Sequence, residues 1–300
     1  MKKYSGLAAI PSGMASPALT AGCLALEGGA FRGLYTEGAL DAMMQNDLNL
    51  QCTIGVSAGA LSGVDYVSGQ IGRAARVNLG FRHDSAYIGL KALFKCKSPL
   101  RIDFLFDEFE SIEPLAADRF YDESRRFVVV TTHCLTGKTT YFERTRDPEF
   151  IAAVKASASM PFGTPMVDVG GEPHLDGGCS CKIPYQWAID QQFEKIIVIK
   201  TRERGYRKKI TGRRLGAFFY RHYPEFGRVL DRSPEDYNRQ CDELDQLERS
   251  GRVFVLAPSQ PVTVRRIESD MEKLGDLYWL GYHDALDHLE AMKEYLGVTP

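Results

Sequence analysis

No stretch of this 300-residue chain approaches the roughly 18 consecutive apolar residues that a membrane-spanning helix needs. Excess charge is missing too. Lys and Arg number 37 against 39 Asp and Glu, a formal net charge of −2, so there is no overall attraction to nucleic acid. Seven cysteines, an odd count without regular spacing, argue against a disulfide framework and for reduced thiols in the cytoplasm. Internal repeats and low-complexity tracts are absent, which removes solenoid and fibrous architectures. Histidine is scarce: His83, His133, His174, His222, His283 and His288. None of these sits in a glycine-flanked, turn-like setting that would mark a catalytic loop. Cys179-Ser180-Cys181 has no second Cys or His pair nearby to complete a metal site, so neither metal nor cofactor is expected.

What is present alternates between two periods. Apolar strands are expected at Cys23–Glu27, Gln51–Ile54, Phe127–Thr132, Thr139–Phe142, Lys195–Lys200 and Arg252–Leu256. Helical spacing fills most intervals, notably Leu34–Met44, Ala58–Ser68 and Met271–Leu296. Such alternation predicts an α/β fold, a three-layer α/β/α sandwich around a mostly parallel sheet. A nucleophile or ligand site then belongs at a strand's C-terminal end.

The N-terminus opens with Met1-Lys2-Lys3 and small or apolar residues up to Gly22-Cys23, which hints at an export signal. Gly6, Pro11, Gly13 and Pro17 interrupt any apolar core, and Thr20 stands where a lipoprotein site prefers leucine. Cys23 also begins the strand that feeds the next motif. Residues 1–21 are therefore read as a flexible leader, and 22–300 as a single domain.

Three segments carry chemistry. Gly55-Val56-Ser57-Ala58-Gly59 follows an apolar run and precedes a helical stretch. That is the shape of a nucleophile elbow, with Gly55 and Gly59 leaving room for the sharp turn. Upstream, an apolar strand enters Glu27-Gly28-Gly29-Ala30-Phe31-Arg32-Gly33. Backbone N–H groups freed by such a turn at a helix start suit a developing oxyanion. Downstream, Ala156-Ser157-Ala158-Ser159-Met160-Pro161-Phe162 precedes Asp176-Gly177-Gly178. The two glycines let the backbone bend and bring the Asp176 carboxylate to another loop, where it is able to take the serine's proton.

These motifs, in this order, resemble the patatin-like phospholipases, a family of lipid acyl hydrolases, and especially its bacterial branch. The similarity spans Glu27–Gly178. It continues into Val262–Glu268 and Leu277–Tyr282, which resemble that branch's C-terminal strand and helix. The resemblance implies a Ser57–Asp176 dyad, with Gly28, Gly29, Ala30, Phe31, Arg32 and Gly33 as the oxyanion loop. It also implies calcium-independent hydrolysis of phospholipids or related acyl esters. Ala30 departs from the family's third glycine, which is harmless unless that position needs a positive φ. The alternatives are a Ser-Asp-His esterase recruiting a late histidine such as His283, and a non-catalytic lipid-binding protein.

From Lys200 to Arg221 nine basic residues stand against the single acid Glu203, with Leu215, Phe218, Phe219 and Tyr220 at the far end. Three readings compete here. One is peripheral contact with an anionic membrane at the inner face. Another is a cap over the site, and the third a solvated basic helix paired with the acid-rich stretch that follows.

Overall fold

A computed structural model describes residues 2–84, 109–212 and 215–298. After a turn at Leu7–Ala9, β1 (Gly13–Met14) leads through β2 (Thr20–Leu26), α1 (Gly33–Gln45) and β3 (Leu50–Val56) to α2 (Ala58–Ser68), β4 (Gln70–Ile71) and α3 (Arg73–Phe81). Then come α4 (Ala117–Phe120), β5 (Arg126–His133), β6 (Thr139–Glu143), α5 (Pro148–Ser157), β7 (Val167–Val169), β8 (Glu172–Asp176), α6 (Tyr185–Asp190) and β9 (Ile196–Ile199). The chain continues with α7 (Leu215–Phe219), α8 (Pro224–Arg249), β10 (Phe254–Leu256), α9 (Met271–Asp287) and α10 (Leu289–Leu296).

Eight strands form one sheet in the order β10-β9-β2-β3-β5-β8-β7, with β6 also on β5. The first five in that order run parallel. The central strands are buried on both faces, which is why they read as continuous apolar runs. Leu24, Leu26, Ile197 and Ile199 join one core with residues of α1, α9 and α10. Cys23, Ala25, Ile196 and Val198 join another with α6 and α8. The molecule is thus the mixed α/β sandwich that the alternation predicts.

All six expected strands are present. β7 and β8 were not anticipated, because three and five residues with exposed and polar members give no apolar run. Three other expectations are corrected. The segment read as a flexible leader makes defined contacts: Gly13 and Met14 pair with Ile71 and Gln70, and Ile10 and Ala15 are buried. Val262–Glu268 is not a strand but irregular, with a turn at Arg266–Ile267. Val262 is held by side chains instead, with its N–H on Glu203 and its carbonyl accepting from Arg202. The helix expected over Met271–Leu296 breaks at His288, between α9 and α10.

The antiparallel additions position the site. β3 pairs with β5 as far as Val56↔Val130, and β6 occupies the other edge of β5 from Val128 to Thr132. β8 pairs with Thr131–His133 and so takes β3's edge just beyond its end. It runs in the opposite direction, and Asp176 stops opposite Thr131. The end of β3 and the end of β8 therefore meet.

Candidate active site

Ser57 follows β3 at φ 56°, ψ −120°, a conformation that costs of order 1–3 kcal/mol unless its surroundings impose it. The surroundings do. A Cβ on Gly55 would stand 2.4 Å from the Gly59 carbonyl oxygen, and one on Gly59 would stand 2.7 Å from that of Leu26. Only glycines let β3 turn into α2 against β2. The Ser57 N–H donates to Ser157 Oγ at 2.9 Å, and Ser157 Oγ donates to the Val130 carbonyl at 2.6 Å. Ser157 thereby pins the turn to β5. It lies in the Ala156–Phe162 motif, where nothing local marks it for this part.

Ser57 Oγ donates to Asp176 Oδ2 at 2.9 Å, and both residues are buried. The other oxygen, Oδ1, accepts from the Gly178 N–H at 2.7 Å. The Asp176 N–H is held by the Ser159 carbonyl. Burial pushes the Asp176 carboxyl above its ordinary range, against the opposing pull of Gly178, Ser57, Lys182 and Arg266. A carboxylate in that position is a stronger base than one in water.

The glycine-rich loop lies beside Ser57, and its six N–H groups divide. Those of Gly28, Phe31 and Arg32 donate to the carbonyls of Lys182, Arg266 and Gly29. That of Gly33 donates to Ala30 and Phe31. Among the described residues, the N–H groups of Gly29 and Ala30 have no protein acceptor. Ala30 stands at φ 51°, so the position does require the conformation that a glycine adopts freely. Arg32 is half-buried with its Nε unpartnered. Burial, then Arg202 beside it, brings its guanidinium down to about 10.

Two cavities share Ser57. The narrow one, about 120 Å³, is mostly apolar and includes Phe31, Leu61, Val64, Val77 and Met160. The wide one, about 830 Å³, reaches Asp176 and is ringed by Arg32, Lys182, Arg202, Lys208 and Arg266. Lys182 carried no sequence signal, and Lys208 and Arg266 stood out only as members of the basic and C-terminal segments, because the cluster is assembled from separate loops. No histidine lines either cavity. His283 instead stacks on Trp279 at 5.9 Å, away from the serine. Among the described residues, no group of three or more His, Cys, Asp or Glu side chains gathers to hold a metal. Cys179 and Cys181 are buried thiols.

The basic segment divides among its readings. Lys200 is buried, while Arg204 pairs with Glu248 and Arg207 with Asp242 and Asp245 on α8. Lys208 turns into the wide cavity. Phe218 and Phe219 are exposed beside Phe162, with ring centres 5.4 Å apart for Phe162 and Phe219. Arg213 and Arg214 lie outside the described residues.

A family model described as patatin-like phospholipase matches residues 24–189, just over half of the chain. A second, described as a domain of unknown function (DUF6363), matches residues 223–297. The chain is 28% identical over 183 residues to the uncharacterized protein YjjU of Escherichia coli (strain K12), covering 59% of this chain. It spans about half, 51%, of that curated relative's length. The crystal structure of VipD from Legionella pneumophila is similar in fold, with a TM-score of 0.50 at 12% identity. That match covers 97% of this chain and 70% of that one.

Proposed function

Because this chain belongs to the patatin-like phospholipase family, we propose that it is a serine lipid acyl hydrolase with Ser57 as nucleophile and Asp176 as base. The observation that carries this reading is the 2.9 Å Ser57–Asp176 hydrogen bond where an apolar cavity meets a wider one ringed by basic side chains. An acyl chain enters the narrow cavity and its ester carbonyl meets Ser57. Asp176 takes the Ser57 proton as Oγ attacks. The carbonyl oxygen becomes an oxyanion, held by the N–H groups of Gly29 and Ala30 at about 3 kcal/mol for each well-placed donor. The start of α2 adds favourable field. Asp176 returns the proton to the departing alcohol or lysophospholipid, then activates the water that clears the acyl-serine.

The substrate approaches from a membrane. Phe162, Phe218, Phe219, Ile210 and Ile267 are all exposed, and Phe162 and Ile267 line the wide cavity itself. Lys209 and Arg221 flank this apolar rim in sequence. Aromatic groups enter the interfacial layer of a bilayer while cations meet anionic headgroups. The packing of α9 on α1 supports one domain over residues 22–300, and the buried free thiols support a cytoplasmic setting.

Ester hydrolysis by wild type, Ser57→Ala and Asp176→Ala, with chelator present, tests the reading on p-nitrophenyl butyrate and on mixed phospholipid vesicles. Both variants should be inactive while folded. Full activity in Ser57→Ala removes the nucleophile, and a wild type inactive on every ester leaves a non-catalytic lipid-binding protein.

A further inference from the structure

The wide cavity contains more positive charge than the hydrolytic chemistry uses. Lys182 donates to two neutral oxygens, the Gly178 carbonyl and Ser233 Oγ. Lys208 lies near enough to Lys182 for the two charges to act on each other, and its Nζ lies 4.2 Å from the centre of the Tyr237 ring. The Arg32 Nε is buried without a partner. Arg266 reaches the same cavity from a turn in the segment before α9. No carboxylate pairs with any of these four at salt-bridge distance among the described residues. Of the carboxylates that line the cavity, Glu235 is exposed and the other three are already engaged. Glu27 accepts from the Thr201 N–H, Asp176 from Ser57 and Gly178, and Asp231 from the Gly216 and Ala217 N–H groups.

Clustered cations without a counter-anion repel one another, and the cost shows at Lys208. Burial, then the charges of Lys182, Arg266 and Arg32, pushes its ammonium down to about 5, with Glu27 opposing. Lys182 is lowered as well, chiefly by burial. An anion placed among the four would relieve that repulsion and restore a full charge on Lys208.

We propose that Lys182, Lys208, Arg266 and Arg32 form an anion site for the phosphate of the lipid headgroup, selecting anionic headgroups with an unmasked phosphate over zwitterionic ones. The site rests on the reading of the protein as a lipid acyl hydrolase. It adjoins the apolar cavity at Ser57, Ala30 and Met160, with Arg266 lining both, so a headgroup has room there once an acyl chain occupies the narrow cavity. A phosphomonoester brings up to two negative charges and three unblocked oxygens to the four cations. A choline ester brings one negative charge and carries its own cation into the same field, so the cavity disfavours it.

Short-chain lipids kept monomeric in solution separate this site from any attraction at a bilayer surface. Wild type should hydrolyse dihexanoyl-phosphatidate with a kcat/KM about tenfold or more above that for dihexanoyl-phosphatidylcholine, mostly through KM, a difference one charged contact is able to supply. Lys208→Gln and Arg266→Gln should each bring the ratio towards one, and Lys208→Arg should retain it. Calorimetric titration of the Ser57→Ala protein with the same two lipids reads the preference without turnover. Equal rates and equal binding for the two lipids overturn the anion site and leave the hydrolase standing. Hydrolysis of no ester, with preferential binding of phosphatidate retained, overturns the hydrolase and leaves the anion site. Inorganic phosphate that binds with no lipid preference reassigns the cations to free phosphate and overturns the headgroup proposal.

Discussion

Ala30 and Ser57 line the same two cavities, and both hold left-handed backbone, at φ 51° and 56° respectively. For Ser57 the strain belongs to an elbow whose glycines permit nothing else. For Ala30 it comes with the side chain, because the same turn built with glycine carries almost none. The loop that leaves the Gly29 and Ala30 N–H groups without a protein acceptor among the described residues is therefore held in a conformation its own residue resists.

Ala30→Gly should relieve that strain. Loss of the strain favours the folded state, and the extra freedom of glycine in the unfolded chain offsets part of the gain. The expected net is a stabilisation of about 0.5–1 kcal/mol in chemical denaturation, with ester hydrolysis retained. Ala30→Val, β-branched at the same φ, should cost about 2 kcal/mol and lower kcat. A destabilised glycine variant would show that the loop draws its shape from contacts of the Ala30 methyl instead.

Asp176 gives a pH signature. On the proposed mechanism it must be ionised to accept the Ser57 proton, and burial has raised its pKa. The acid limb of kcat/KM should then bend at a pH above the ordinary aspartate value, with activity rising through it towards neutrality. Asp176→Asn keeps an oxygen for the Gly178 N–H but no base. It should lose about 10³–10⁴-fold in kcat/KM, and the acid limb with it. An unchanged limb in the variant would assign the titration to another group.

Much of this was legible in the chain because the signals are local. The elbow needs Gly55 and Gly59 beside Ser57, and the strands that support it are continuous apolar runs. Asp176 stood out through its two following glycines. Other parts were not legible because they depend on distant pairings. Ser157 acts by bridging the Ser57 N–H to the Val130 carbonyl, 100 and 27 residues away. Lys182 and Lys208 become neighbours only after β9 and α8 are in place. β8 is a five-residue strand with Pro173 and His174 in it, and it forms because β5 outruns β3 and leaves an edge to fill. The Ala30 departure was visible, but its consequence depended on a φ that only the folded loop supplies.

Beneath the narrow cavity, stability should depend on pH through Glu37. Burial, then Asp41 and Asp65, pushes its carboxyl from 4.5 to about 8, while Asn78 donates to Oε1 at 2.8 Å. The folded state then holds a proton that the unfolded chain releases, so stability falls as pH rises from about 4.5 to 8. Asp41, pushed up to about 7 by burial, adds in the same direction. Glu37→Gln keeps the acceptor for Asn78 and removes the titration. Its melting temperature should decline less than that of wild type between pH 5 and pH 8. Parallel curves for the two proteins would exclude Glu37 as the source.

The exposed rim makes a prediction about surfaces. Phe218 and Phe219 are 70% and 62% exposed, yet their helix is anchored, since Asp231 accepts from the N–H groups of Gly216 and Ala217. On the proposed function, an anchored apolar edge beside Phe162, which lines the wide cavity, suits an apolar surface. Replacing both residues with Asp should lower partitioning onto anionic vesicles by at least about tenfold, as burial of even one Phe contributes 1.5–3 kcal/mol. The ratio of vesicle to monomeric-lipid hydrolysis should fall with it. Partitioning that survives the change but disappears at high salt would leave the basic residues as the docking element.

The C-terminal helices are tied to the rest of the molecule through a crossing with no room for a methyl group. A Cβ on Gly38 of α1 would stand 2.0 Å from the Tyr278 carbonyl oxygen, and one on Gly281 of α9 would stand 1.9 Å from that of Tyr35. The same two helices are joined by hydrogen bonds from Tyr278 to Asp41 and from Tyr35 to Asp284. Gly281→Ala must push α9 away, lengthening both bonds and opening the core they cover, at a cost of about 3 kcal/mol. Gly38→Ala should cost about as much. Because either change already separates the helices, the double variant should fall well short of the sum. Strict additivity in chemical denaturation would mean that the two glycines sit in independent contacts, and that α9 is not held to α1 as one interface.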